Sequence, residues 1–144
     1  DDWQTNTCPH HGPTLAVGPD RVMHVAWFTE GRHREGLFYA RSVDEGKTFS
    51  LPTPIGDADR APTRPALAAI GQHVRLAWKE FDGKQTTVRT MLSRDAGVTW
   101  SAPRTIAVSN GYSDHPLLVA QGTRMLLSWL SHPEGYRLIP MEER

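Results

Sequence analysis

Three groups of residues in this chain are of types that do chemistry. The first is the run Cys8-Pro9-His10-His11, which packs a thiol and two imidazoles into four positions. Thiolate and imidazole are ligands for zinc or copper, and His115 is a further imidazole for such a site. Neighbouring side chains of an extended segment point to opposite sides, so His10 and His11 do not both turn toward a metal held by Cys8. The ordinary alternative is a buried thiol beside histidines bonded to the backbone. The second group is Tyr112 in "GYSDHP", with Asp114 and His115 just after it and Arg60, Arg64 and Glu80 upstream. A phenol activated by a carboxylate is a nucleophile, and arginine grips carboxylates in a fork. The same residue types also serve a binding lip that cleaves nothing, because aromatic faces stack on sugars and charged groups bond their hydroxyls. The third group is a pair of octads, "SVDEGKTF" from Ser42 and "SRDAGVTW" from Ser93. Their Asp44 and Asp95 invite a calcium reading, but each loop lacks a second neighbouring carboxylate, and calcium takes six to eight oxygens. The octads read better as turns.

The elements that must position these groups come from an internal repeat. Trp27, Trp78 and Trp129 are spaced 51 residues apart and lie in "VMHVAWF", "HVRLAWK" and "RMLLSWL". A proline-led apolar segment precedes each ("GPTLAV", "RPALAA", "HPLLVA"), and "GLFYARS", "TVRTMLS" and "GYRLIPM" follow. After each octad a fourth short segment appears, "LPTPIG" and "APRTIA". Each unit therefore reads as four short antiparallel strands separated by turns such as Gly18-Pro19-Asp20. Met23, Val25 and Trp27 share one face by period two, as do Val74, Leu76 and Trp78; the other face carries the small Ala26, Ala77 and Ser128. Two apolar faces on a sheet that recurs every fifty residues predict an all-β chain of β-propeller blades, about three of them. The units fall at about 8–56, 57–107 and 108–144 of a single partial domain. Residues 1–7 read as a stray fourth strand.

The octads resemble the Asp-box of the sialidase-like, or BNR-repeat, propeller family. That resemblance implies a six-bladed ring, of which this chain supplies a portion. The remaining blades, or a second copy of the chain, would then cover its open faces. Physical reasoning assigns each octad residue a task. Ser42 and Ser93 open the turn, and Asp44 and Asp95 accept bonds from backbone N–H groups. Gly46 and Gly97 take positive φ, Thr48 and Thr99 cross-bond the turn, and Phe49 and Trp100 fold back as a small apolar plug. By strand direction, the octads share one rim with the turns between first and second strands. The crossovers between units lie at the other rim, where the inner strands begin around a central funnel. Aligned by repeat, Gly12, Arg64 and His115 are equivalent funnel positions. Arg60, Arg64, Asp114 and His115 form the expected ligand-binding set, and the loops between second and third strands add Glu30, Glu80, Lys84, His132 and Glu134.

In sialidases a Tyr nucleophile is paired with Glu, an arginine triad holds the substrate carboxylate, and an Asp is the acid/base. "TWSAPRTIAVSNGYSDHPLL" is similar to the stretch that carries that Tyr. The resemblance thus makes Tyr112 the nucleophile, Glu80 its partner and Arg64 a carboxylate contact of an exo-sialidase. The chain departs from that pattern where the family's arginine ahead of its last box is Thr86, with Arg89 displaced toward the octad. With the pattern broken and the scaffold intact, the expected function is a noncatalytic module that binds a glycan or a protein, with hydrolysis and copper or zinc binding as alternatives. The family also implies an extracytoplasmic location.

Composition narrows the classes. Sixteen basic and sixteen acidic residues cancel, so electrostatic capture of nucleic acid or an acidic membrane is not expected. Apolar runs are far too short to span a bilayer. One cysteine excludes an intrachain disulfide. No basic-then-apolar leader opens the chain, which fits either a cytoplasmic protein or a mature or excised portion of a larger one.

Overall fold

The computed structural model describes residues 3–6, 12–32, 35–132 and 134–141. Its regular structure is strands and one short 3-10 turn, Ala58–Arg60. The first sheet runs β1 (Thr14–Val17), β2 (Met23–Glu30), β3 (Glu35–Ser42), β4 (Thr53–Ile55). The second runs β5 (Thr63–Ile70), β6 (His73–Phe81), β7 (Thr86–Ser93), β8 (Arg104–Ser109). The third holds β9 (Leu117–Gln121), β10 (Arg124–Ser131) and β11 (Gly135–Met141). All neighbours pair antiparallel in chain order. The fold is therefore a partial β-propeller of about three blades. The three tryptophans occupy one position of the ladder, with Trp27 opposite Phe38, Trp78 opposite Arg89 and Trp129 opposite Arg137.

Period-two alternation explains how the blades stack. The Trp face of one blade packs on the small-residue face of the blade before it. Between blades 1 and 2 the core holds Ala26, Leu37, Tyr39, Ile55, Leu76 and Trp78. Ala26 and Trp78 are both fully buried, the alanine leaving room for the indole. Ala68, Val88, Met125, Leu127 and Trp129 repeat the arrangement between blades 2 and 3. Trp27 stays half-buried, because no described sheet covers its face. Residues 3–6 form no ladder. They pass the end of β2, where Glu30 N donates to Gln4 O (2.7 Å) and Trp3 Nε1 to Phe28 O (3.0 Å).

The octads join strands three and four, and their bonds repeat almost atom for atom. Ser42 Oγ donates to Asp44 Oδ1 (2.7 Å) and accepts from Gly46 N (2.8 Å), while Thr48 donates to Asp44 from N (2.9 Å) and Oγ1 (2.6 Å). The second octad shows the same set from Ser93, Asp95, Gly97 and Thr99. Each carboxylate is ringed by donors, the reverse of what a cation needs. These hydroxyl and backbone bonds, led by those from Thr48 and Thr99, hold both carboxyls down at about 2. Gly46 and Gly97 have φ of 85° and 80°, and the residues before them, Glu45 and Ala96, are left-handed as well. The aromatic plug forms in one octad. Trp100 meets Tyr39 of blade 1 edge-on at 4.9 Å. Phe49 instead is 46% exposed, because its side of blade 1 has no described sheet against it.

Candidate functional site

The inner strands β1, β5 and β9 begin side by side at the rim opposite the octads. Their first residues, Gly12-Pro13-Thr14, Arg64-Pro65 and His115-Pro116-Leu117, line one pocket of about 220 Å³. The repeat-equivalent Gly12, Arg64 and His115 are thus brought together. A proline follows each, fixing φ and removing a ladder donor at the strand's first position, where none is needed. Arg64 has φ of 55° and sits where the β5–β6 register shifts between Thr63 and Ala66. A left-handed arginine, placed before a proline that favours extended backbone, costs on the order of 1 kcal/mol or more. Such a bulge re-aims a side chain, here toward the funnel.

Behind the lip the crossover from blade 2 to blade 3 is clamped on both sides. His132 N donates to Tyr112 O (2.7 Å) and Asp114 N to Leu130 O (2.9 Å), tying it to β10. Trp129 Nε1 donates to Asp114 O (3.0 Å), and Asp114 Oδ1 accepts from His115 N (2.7 Å). From blade 2, Lys79 Nζ donates to Ser113 O (3.0 Å) and Asp114 O (3.3 Å). Burial, and next the charge of Arg64, push the Lys79 ammonium below its ordinary range, while Asp114 pulls it back. Arg64, Lys79 and Asp114 therefore form one charged group at the funnel, with His115 beside it. Sequence reasoning missed Lys79. The signal was present, since Lys79 lies one residue past Trp78 and so faces the third blade.

The remaining candidates lie elsewhere. Glu80 shares the Trp78 face and looks toward blade 1. It is 3% exposed, accepts from Trp78 Nε1 (2.8 Å) and Asp57 N (3.3 Å), and lies about 4 Å from Arg60 and Arg89. With Gly56, Asp57 and Pro103 these residues line a separate polar pocket of about 370 Å³. Glu80 and Arg60 thus buttress the first crossover, and strand alternation turns Glu80 away from Tyr112. Tyr112 is 93% exposed, in a shallow cleft of about 520 Å³ with Leu130, His132 and Gly135. Arg89 is committed to Thr105 Oγ1 (3.0 Å). Glu30 accepts from Asn6 N, Lys84 N donates to Asp82, and Glu134 accepts from Ser109 Oγ, all loop-ordering bonds. Cys8, His10 and His11 lie outside the described residues. Among the described residues, no group of three or more His, Cys, Asp or Glu side chains could hold a metal ion. No helix of the described residues is long and apolar enough to cross a membrane.

No family model and no curated protein matches the chain. Solved structures do. An α-L-arabinofuranosidase from Fusarium graminearum, solved as its E242A mutant with an iminosugar inhibitor, superposes with a TM-score of 0.70 at 16% identity over 96% of this chain. An α-L-arabinanase from Penicillium chrysogenum complexed with arabinobiose gives 0.69 at 16% identity over 93%. A Hadza microbial sialidase gives 0.59 at 16% identity over 91%. The chain spans 47%, 45% and 31% of their respective lengths, so it matches less than half of each. At this identity the likeness establishes the fold.

Proposed function

We propose that the chain is part of a carbohydrate-binding propeller whose funnel lip, built from Arg64, Asp114 and His115, holds a glycan without cleaving it. The observation that carries this reading is the convergence of three strand starts on one pocket, with a guanidinium at its edge aimed by a left-handed bulge. Backbone strain at a pocket is worth its cost where a ligand is held. Guanidinium, carboxylate and imidazole supply both donors and acceptors for sugar hydroxyls, and the exposed Tyr112 ring offers a stacking face nearby. The arabinobiose and iminosugar bound by the structural relatives support a carbohydrate as the ligand class. A protein ligand would use the same lip. A location outside the cytoplasm belongs to the same proposal.

Ligand-observed NMR with arabinobiose and with a sialylated trisaccharide tests this reading. The informative variant is Arg64→Gly, since glycine keeps the left-handed backbone while removing the guanidinium. Saturation transfer from the wild type should weaken about tenfold or more in Arg64→Gly, the range for a lost charged hydrogen bond, in a variant that still unfolds cooperatively. Absence of transfer from any glycan to the folded wild type would overturn it.

A second reading, glycoside hydrolysis, is favoured by the enzyme names of the structural relatives. With Glu80 turned to blade 1, Tyr112 has no carboxylate partner in that residue. Release of free sugar in the same NMR samples, abolished by Tyr112→Phe, would establish hydrolysis in place of simple binding.

A further inference from the structure

The residue two places past each repeat tryptophan is buried in all three blades: Thr29, Glu80 and Ser131. In blades 1 and 3 it is a hydroxyl whose bonds stay within the protein. Thr29 Oγ1 accepts from Gly31 N (3.0 Å) and Gln4 N (3.2 Å), and Ser131 Oγ accepts from Arg137 Nη2 (2.8 Å). Blade 2 puts a carboxylate there, in the polar pocket that it shares with Gly56, Asp57, Arg60, Arg89 and Pro103. Only one oxygen of that carboxylate is used. Oε1 accepts from Trp78 Nε1 and Asp57 N, whereas among the described residues nothing donates a hydrogen bond to Oε2. Two guanidiniums flank Oε2 instead, Arg60 Nη1 at 4.0 Å and Arg89 Nε at 3.9 Å, both beyond hydrogen-bond reach. Arg89 holds the ladder place of Arg137. The contact that Arg137 closes at 2.8 Å nevertheless stays open here, and Arg89 Nε is buried without a partner among the described residues.

We propose that this pocket binds a neutral vicinal diol, as in a polyol or a sugar ring, held by Glu80 Oε2, Arg60 and Arg89. A buried polar group left without a bond is costly, and a hydroxyl in each gap removes the cost. Each hydroxyl donates to Oε2 and accepts from the guanidinium beside it. Two gaps that share one oxygen call for hydroxyls on adjacent carbons. Charge disfavours ionic ligands, since an anion would face Glu80 and Asp57 and a cation both guanidiniums. The pocket's volume of about 370 Å³ lies among those of small-molecule sites, roughly 300–1,000 Å³. The scaffold itself does not require the carboxylate, because Thr29 and Ser131 fill the same place in the other blades. This pocket and the funnel lip share no lining residue, so the site stands whether or not the funnel holds a glycan.

The indole N–H of Trp78 reports on the site, because it donates to Glu80. In nitrogen–proton correlation spectra of the whole chain, myo-inositol should move that resonance saturably. Its half-saturation should come at a concentration about tenfold or more below that of cyclohexanol, the range for one further hydrogen bond to a charged group. Glu80→Gln keeps an acceptor for Trp78 and Asp57 but turns a donor toward the guanidiniums, and should weaken the response about tenfold or more. Arg60→Ala should do the same with the fold intact, since that side chain is part-exposed and makes only long ion pairs. No saturable shift with myo-inositol, an equal response to cyclohexanol, or saturation by sodium acetate instead would overturn the proposal. So would a shift that survives both variants, or one that vanishes in Arg64→Gly and thereby belongs to the funnel.

Discussion

At Gly97 the chain meets two separate demands, and only one of them is shared with its repeat partner Gly46. Both glycines are left-handed. A Cβ on Gly46 would meet only the flexible Met23 side chain, whereas one on Gly97 would collide with Tyr39 and lie 3.2 Å from His24 Nδ1. Gly46→Ala should therefore cost about 1 kcal/mol of backbone strain, and Gly97→Ala about 3 kcal/mol once overpacking is added. Urea unfolding of the two variants checks the difference, and equal losses would mean that blade 1 yields to the turn. The same neighbourhood sets the response to acid. His24 is fully buried, bonds Tyr39 Oη through Nδ1 (2.8 Å), and is held below 6.5 chiefly by burial. Between its folded pKa and 6.5 the unfolded chain binds more protons, so stability falls as pH drops through that window. Asp44 and Asp95, at about 2 in the fold against 3.8 in a free chain, add a second loss of the same sign between those values. Thermal melts from pH 7 to 2 should show both steps. The lower step should shrink in Asp44→Asn and Asp95→Asn, and the upper one in His24→Gln.

The strand is the scale at which the sequence was most informative and also where it misled. Alternation around Trp78 was enough to give each blade two packing faces, one carrying the tryptophan and the other a small residue. Trp78→Ala should accordingly cost about 3–5 kcal/mol by denaturant unfolding, and Trp27→Ala clearly less, since Trp27 is only half-buried. Equal losses would show that the Trp27 face is covered in solution. Carried two residues further, the same alternation separates Glu80 from Lys79. Treating the end of β6 as a loop hid that phase and put the carboxylate beside Tyr112. The Arg64 bulge had no such signal, because a left-handed arginine before proline contradicts local preference and is imposed by the convergence of strands. Phe49 and Trp100 show a related limit. Two copies of one motif differ in the burial of their aromatic because its socket belongs to a neighbouring blade.

For the whole molecule, the two outer faces carry the remaining consequence. Blade 1 turns Leu15 and Val17 outward on its Trp27 side, and blade 3 turns out Leu117, Val119 and Leu138, all at least 43% exposed. These are the two kinds of face that pack together inside the molecule, a Trp face and a small-residue face carrying Ser128. They are complementary to each other and not to themselves, so contact between two copies is heterologous, blade 3 on the partner's blade 1. Such contacts either close into a ring or run on as open assemblies. We expect the 144-residue chain to self-associate through these faces, and exposed apolar patches of this kind to drive it. Light scattering coupled to size exclusion should give a mass above 16.1 kDa that rises with concentration. Val17→Lys and Val119→Lys should each return the chain toward monomer, since either charge spoils the one interface type. A monomer at every concentration, folded and unfolding cooperatively, would mean that solvent tolerates both faces and that a second copy does not cover them. Self-association that survives both lysines would place the contact elsewhere, with the open edge of β11 as the next surface to block.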